Sequence, residues 1–228
     1  MKRILYQIVI AIVGIMLATT PAAADNFFSR MFGPRIKGSG DLQSETRDVS
    51  EFERIKLSGS FDVSVKVGQP QSLKVTFDDN LLDNVVTKVR GRTLRIYSED
   101  SYSSHYDCRV EITVPKLEDV SLSGSGDIEI RDLDGGDFSV SVSGSGNIRA
   151  DGKVDELEIS VSGSGDIDAR DLEAVDAYVT VSGSGDVDVF ATGELSARVS
   201  GSGDIAYYGS PEHISQHVSG SGDIRKKR

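Results

Sequence analysis

The chain has no tryptophan, one cysteine and three histidines in 228 residues. A lone cysteine can close no internal disulfide, so nothing of that kind staples the chain. In "DCRVEITVP", Cys108 keeps phase with Val110, Ile112 and Val114. That alternation puts it on the apolar face of a strand, where free cysteine packs as a small hydrophobe; a reactive or intermolecular thiol is the alternative. His213 and His217 fall in a predicted strand, where an i,i+4 pair is about 13 Å apart and cannot chelate one metal as a helical pair would. There is no G-x-S-x-G elbow and no set of zinc cysteines, and the GSGSG stretches lack the lysine of a phosphate loop. Arg149, Arg170 and Arg198 are scattered, whereas a polysaccharide lyase would want a local cluster of Arg or Lys with Asp and Tyr. With no catalytic constellation, the chain reads as non-enzymatic and without a cofactor.

Basic charge is also scarce. The formal net charge is −11, and it becomes more negative once Lys2 and Arg3 are removed. Such a chain repels nucleic acid and anionic membrane surfaces as a whole. The one basic run is Arg225 to Arg228, a charged terminus.

"MKRILYQIVIAIVGIMLATTPAAADN" opens with Lys2 and Arg3, continues with an apolar run from Ile4 to about Ala18, and reaches Ala22-Ala23-Ala24. This is the pattern of a secretory signal peptide over 1–24, with cleavage after Ala24 and no transmembrane domain afterwards. The run is short for a membrane span, although an uncleaved anchor is the alternative. The expected location is the periplasm, the outer cell surface or the medium. Residues 25–35 read as a linker.

What the chain has in abundance is one phrase. "SGSGDI", with small changes, starts at Ser123, Ser143, Ser162, Ser182, Ser200 and Ser219, in steps of 20, 19, 20, 18 and 19 residues. Apolar residues alternate on both sides: Phe138, Val140 and Val142 before one copy, Ile167 and Ala169 after the next. Period two on both flanks means a strand, a glycine corner and a second strand. A unit of this length has about 60 Å of extended path at ~3.3 Å per residue, enough for one coil around a narrow apolar centre. One coil cannot bury its own apolar face, so several must stack. The fold predicted is all-β: a single-stranded parallel β-helix, or β-solenoid, of coils of about 19–20 residues. It should be right-handed, as parallel crossovers are. The glycines are expected where a sharp corner needs positive φ, and the serines between them could share hydroxyl bonds up the stack. Gln216 takes the inward slot held by Val120, Val140, Ile159, Val179 and Ala197, so the last copy reads as an end cap.

Residues 36–117 form a less regular β portion ahead of the repeats at 118–228. Strands are predicted around 52–57, 61–67 and 72–77, a helical turn in "DDNLLDNVVTKV", and further strands at "TLRIYS" and "CRVEITVP". "SGSFDV" at 58–63 is a degenerate copy of the phrase, with Phe61 replacing the second glycine; Ser58 and Ser123 are 65 residues apart, roughly three coil lengths. "IKGSGDLQSETRDVSEFERIKLSGSFDVSVKVGQ" (36–69), "DDNLLDNVVTKVRGRTLRIYS" (78–98), "VEITVPKLEDVSLSGSGDIEI" (110–130) and the later GSGDI and GSGNI copies resemble the head GIN domain family, also called the putative auto-transporter adhesin head. That resemblance covers about residues 36–228, and it implies an exported β-helical protein but no known chemistry and no catalytic residues.

Two candidate sites follow. Asp127, Asn147, Asp166, Asp186, Asp204 and Asp223 hold equivalent positions and should form a ladder. Either each accepts backbone N–H bonds at its corner, or calcium between coils relieves their repulsion, giving a calcium-stabilised solenoid. "YSEDSYSSHYD" at 97–107 breaks the repeat, and its Tyr97, Tyr102, His105 and Tyr106 could face a cell-envelope glycan or protein. The function expected is an adhesin-like or cell-envelope scaffold or binding module. A polysaccharide-acting enzyme on a β-helix is the alternative.

Overall fold

The structure, a computed structural model, describes residues 35–228. The expected signal peptide, its cleavage after Ala24 and all but the last residue of the linker lie outside the described residues. The chain forms two units. In the smaller, Ile36–Lys37 pairs in parallel with Tyr102–Ser103, and the Ile36 amide donates to the Ser101 carbonyl at 3.0 Å. The larger unit, residues 38–99 and 104–228, is all-β apart from a 3-10 turn at Asp79–Asn84, and its seventeen strands form one sheet.

Alternation decides which side chains enter the core. In Phe61–Val67, Phe61, Val63, Val65 and Val67 are buried while Asp62, Ser64 and Lys66 face out. Each repeat then pairs in parallel and in register with the next. One column of inward residues runs Ile55, Val120, Val140, Ile159, Val179, Ala197 and Gln216. Another runs Val63, Ile128, Ile148, Ile167, Val187, Ile205 and Ile224. Burying each Val or Ile contributes about 1.5–3 kcal/mol. Because the period is two, a slip of one residue between repeats would turn every one of them outward, so the columns fix the register. The last strands, His213–Val218 and Ile224–Lys226, leave Ile214 and Val218 exposed at 48% and 44%.

The corner glycines do something other than expected. None of Gly144, Gly163, Gly183 and Gly201 lies in the left-handed region. They are required by close approach: a Cβ on any of them would sit 1.9–2.0 Å from the carbonyl oxygen of the equivalent glycine in the preceding repeat. That closeness lets the amides of Ser145, Ser164, Ser184 and Ser202 donate to Gly124, Gly144, Gly163 and Gly183 at 2.9 Å each. The bonds up the stack at the corner therefore come from serine amides. Among phrase-opening serines, Ser58 and Ser123 do share a hydroxyl contact, at 2.9 Å.

The N-terminal half also departs from three coils. The degenerate phrase lies directly against the next copy, with the Ser125 amide on the Gly59 carbonyl at 3.0 Å. On its other side, Arg54–Ser58 pairs in parallel with Thr93–Ser98, and Phe61–Val67 with Cys108–Val114. The remaining strands run antiparallel: Ser72–Asp78 joins Cys108–Val114, Val85–Arg90 joins Thr93–Ser98, and Leu42–Thr46 edges Ser72–Asp78. The length between Ser58 and Ser123 is taken up by one further parallel level and these antiparallel strands. No glycine corner lies on the far side of Phe61, which pairs there with Cys108, so a phenyl ring can stand where later copies need glycine. That ring is fully buried beside Gly59.

Candidate functional site

The aspartate ladder forms, with a bonding pattern that spans repeats. The amide of Asn147 donates to Asp127 Oδ1 at 2.9 Å, and that of Asp166 to Asn147 Oδ1 at 3.0 Å. The amides of Asp186, Asp204 and Asp223 donate to the Oδ1 of Asp166, Asp186 and Asp204 at 2.8 Å each. Every member but the last thus satisfies the backbone of the equivalent residue one repeat further on; Asp223 accepts the Ile224 amide of its own corner at 2.9 Å. An amide oxygen serves as well as a carboxylate, which accounts for Asn147 within the series. Among the described residues no three His, Cys, Asp or Glu side chains come together where they could hold a metal ion.

The residues of the 97–107 stretch go to different places. Tyr97 is half-buried on the strand Thr93–Ser98, opposite Val86 and Ser58. Tyr102 lies in the smaller unit, opposite Ile36. His105 and Tyr106 are exposed, and the Tyr106 amide donates to Ser104 Oγ at 2.9 Å. Ser104 in turn donates to the buried carboxylate of Asp78, which also accepts the Gly40 amide at 2.7 Å.

A larger recess, about 660 Å³, lies on the outward face where the non-repetitive strands join the repeats. One row across it reads Ser44, Thr76, Arg109 and Asp62, and continues into the ladder through Asp127, Asn147 and Asp166. The next row reads Lys74, Glu111, Ser64, Glu129, Arg149 and Asp168. Lys74 and Glu111 form an ion pair at 2.8 Å, and Arg149 bonds Asp171 at 2.7 Å. Burial, with Asp107 and Asp127 nearby, raises the Asp62 carboxyl above its ordinary value, against the opposing pull of Arg109. Among the described residues no aromatic side chain lines this recess. Its alternating acids, cations and hydroxyls offer donors and acceptors to a hydroxyl-rich ligand. Sequence reasoning missed it because Asp62, Arg109 and Lys74 lie on three strands whose pairing order differs from their chain order. The available signal was their outward phase in each alternation.

Beneath this face Cys108 is buried, and burial pushes its thiol up to about 12, with a lesser opposing effect of Arg47.

The chain is an all-β protein in which strands flanking copies of one short phrase pair in parallel and in register. The chain belongs to the family described as putative auto-transporter adhesin, head GIN domain, whose model matches residues 51–211. No curated protein matches it. Among solved structures, a putative adhesin from Bacteroides fragilis is 24% identical with a TM-score of 0.69, covering 84% of this chain and 100% of its own. A putative lipid binding protein from Parabacteroides distasonis is 29% identical with a TM-score of 0.54, covering 86% and 100%. A putative adhesin from Parabacteroides merdae is 20% identical with a TM-score of 0.51, covering 85% and 99%. An exported or surface protein fits such a family. No helix among the described residues is long and apolar enough to cross a membrane.

Proposed function

We propose that the protein is an exported, non-enzymatic binding module of the cell envelope, adhesin-like in role, built on a parallel β-solenoid of coils of 19–20 residues. The observation that carries this reading is the division of labour between repeated and unrepeated residues. The glycines, serine amides and ladder aspartates of the phrase are engaged by the next repeat. The polar recess around Asp62, Arg109 and Lys74 forms where strands outside the repeat meet its first copies. A stack of coils presents broad, regular outer faces suited to extended partners. A right-handed winding is proposed on the general preference of parallel crossovers. The partner proposed is an envelope glycan or protein, with no cofactor.

The test is retention of the purified protein on envelope fractions and whole cells, with a mature-protein antibody to assign periplasm, surface or medium. Saturable retention that falls when Arg109 and Lys74 are both replaced by Ala supports the reading. No retention on any fraction overturns it. One observation favours a second reading, a polysaccharide-acting enzyme: Asp62, its carboxyl raised by burial, has Asp127 nearby, and paired carboxylates serve glycosidases. Turnover of an envelope glycan that disappears in Asp62→Asn would establish that reading; the absence of turnover removes it.

A further inference from the structure

Many cations on the outward faces of the described residues are paired with acids where they stand. Lys66 meets Asp132, Lys74 meets Glu111, Arg131 meets Glu129, Lys153 meets Glu173, and Arg170 meets both Asp168 and Asp188. Lys56, Lys88, Arg90 and Arg95 differ in standing together. All four are exposed, none makes an ion pair with a described residue, and all line one recess of about 200 Å³ together with Tyr97 and Ser58.

Their grouping is written into the register. Lys88 stands opposite Arg95 in the antiparallel pair Val85–Arg90 and Thr93–Ser98. Arg95 stands opposite Lys56 in the parallel pair Thr93–Ser98 and Arg54–Ser58. Adjacent strands are about 4.8 Å apart, so three positive charges occupy a row of roughly 10 Å. Like charges directly opposite on a sheet destabilise it. In a chain of net charge −11, with acids available to pair cations elsewhere, this row is a local concentration of positive charge without ion pairs among the described residues, with Asp119 near enough to Lys56 to feel its charge. Beyond Lys56 the same row continues as Ser121, Ser141, Ser160, Thr180 and Arg198, with no acid in it. A cationic end followed by a flat line of hydroxyls matches a polymer that carries both anionic groups and hydroxyls.

We propose that this face binds an anionic polysaccharide, holding its carboxylate, sulfate or phosphate groups on Lys88, Arg95 and Lys56 and its sugar hydroxyls along the serine row. The half-buried Tyr97 supplies an aromatic flank. A nucleic acid duplex would need a longer track of cations to overcome the repulsion of the rest of the chain. The inference deepens the proposed binding role and rests on it for the source of the ligand. It concerns a face distinct from the recess around Asp62.

The test uses the full chain and defined probes: polygalacturonate and dextran sulfate, with uncharged dextran, phosphatidylglycerol vesicles and duplex DNA as comparisons. At ~0.15 M salt the Debye length is about 8 Å, so distant acids are screened while contacts at the row remain. The expected result is binding to the two anionic polysaccharides and none to dextran, weakened at least tenfold in the Lys56→Ala, Lys88→Ala, Arg95→Ala triple variant. An Arg131→Ala, Lys153→Ala variant, which removes two paired cations, should bind like the parent. Lys88→Gln alone provides a milder version, expected to weaken binding in the same direction. Equal loss in the paired-cation control, no loss in the triple variant, or retention only on vesicles or DNA overturns the proposal. Envelope retention that survives in the triple variant would leave the adhesion reading standing while removing this site from it.

Discussion

Replacing Gly163 by Ala tests the packing of the corners. The added Cβ would lie 2.0 Å from the Gly144 carbonyl oxygen and 2.9 Å from its carbonyl carbon, in contact with backbone that cannot swing aside. The two repeats must separate by about an ångström or more to restore van der Waals distance. Separation strips the Gly144 carbonyl of the bonds it accepts from Ser164 at 2.9 Å and Gly165 at 3.2 Å. Two net hydrogen bonds at ~1 kcal/mol each, with the cost of leaving their groups unpaired, give a loss of about 3–5 kcal/mol. Two controls separate this mechanism from others. Ser164→Ala alters an exposed side chain and should stay within ~0.5 kcal/mol. Gly135→Ala meets nothing within 4 Å but has φ +72°, so only left-handed strain applies, about 1–2 kcal/mol. Urea unfolding followed by circular dichroism measures all three. A Gly163→Ala loss no larger than that of Gly135→Ala would refute the close-approach argument.

Other consequences are measurable in the same way. Asp186→Asn keeps an acceptor for the Asp204 amide, as Asn147 does for Asp166, and should be neutral or slightly stabilising; Asp186→Ala should cost about 1 kcal/mol by urea midpoint. Asp62 has a folded-state pKa above its ordinary value of 3.8, so the folded chain holds that proton more tightly than the unfolded chain. Its effect on stability is lost as pH rises from 3.8 through the raised folded value, and Asp62→Asn should therefore be more stable than the parent at pH 7, with the difference shrinking below pH 3.8. Cys108, buried and with its thiol pushed up to about 12, should resist a thiol reagent at pH 8 in the folded state and react at once in denaturant.

The phrase and its flanks made much of this legible. Val140, Ile159 and Val179 could be placed in one inward column because alternation and spacing are both local properties. The role of the glycines was not legible, since the atom that forbids a Cβ at Gly163 belongs to Gly144, one repeat earlier. The same is true of the aspartates, whose donors are one repeat later. The N-terminal half defeated the coil count because Ser72–Asp78 and Val85–Arg90 pair antiparallel, so equal lengths of chain do not advance the stack equally. Both recesses are products of that arrangement. Arg109 meets Asp62, and Lys56 meets Arg95, only because later strands insert on the far side of earlier ones. Alternation shows that each of these residues faces outward, but it cannot show which strand lies beside which.

The central claim is that the repeated phrase builds the scaffold while the cations that anchor a ligand, Arg109 and Lys74 in one recess and Lys56, Lys88 and Arg95 in the other, belong to unrepeated strands. Excising residues 182–199, the stretch from one phrase-opening serine to the next, tests it most directly. The variant joins Val181 to Ser200 and preserves the strand–corner–strand phase. It should fold, unfold cooperatively in urea, and be retained on envelope fractions as the parent is. A folded variant that has lost retention would contradict the account, because the ligand would then be anchored by the excised repeat.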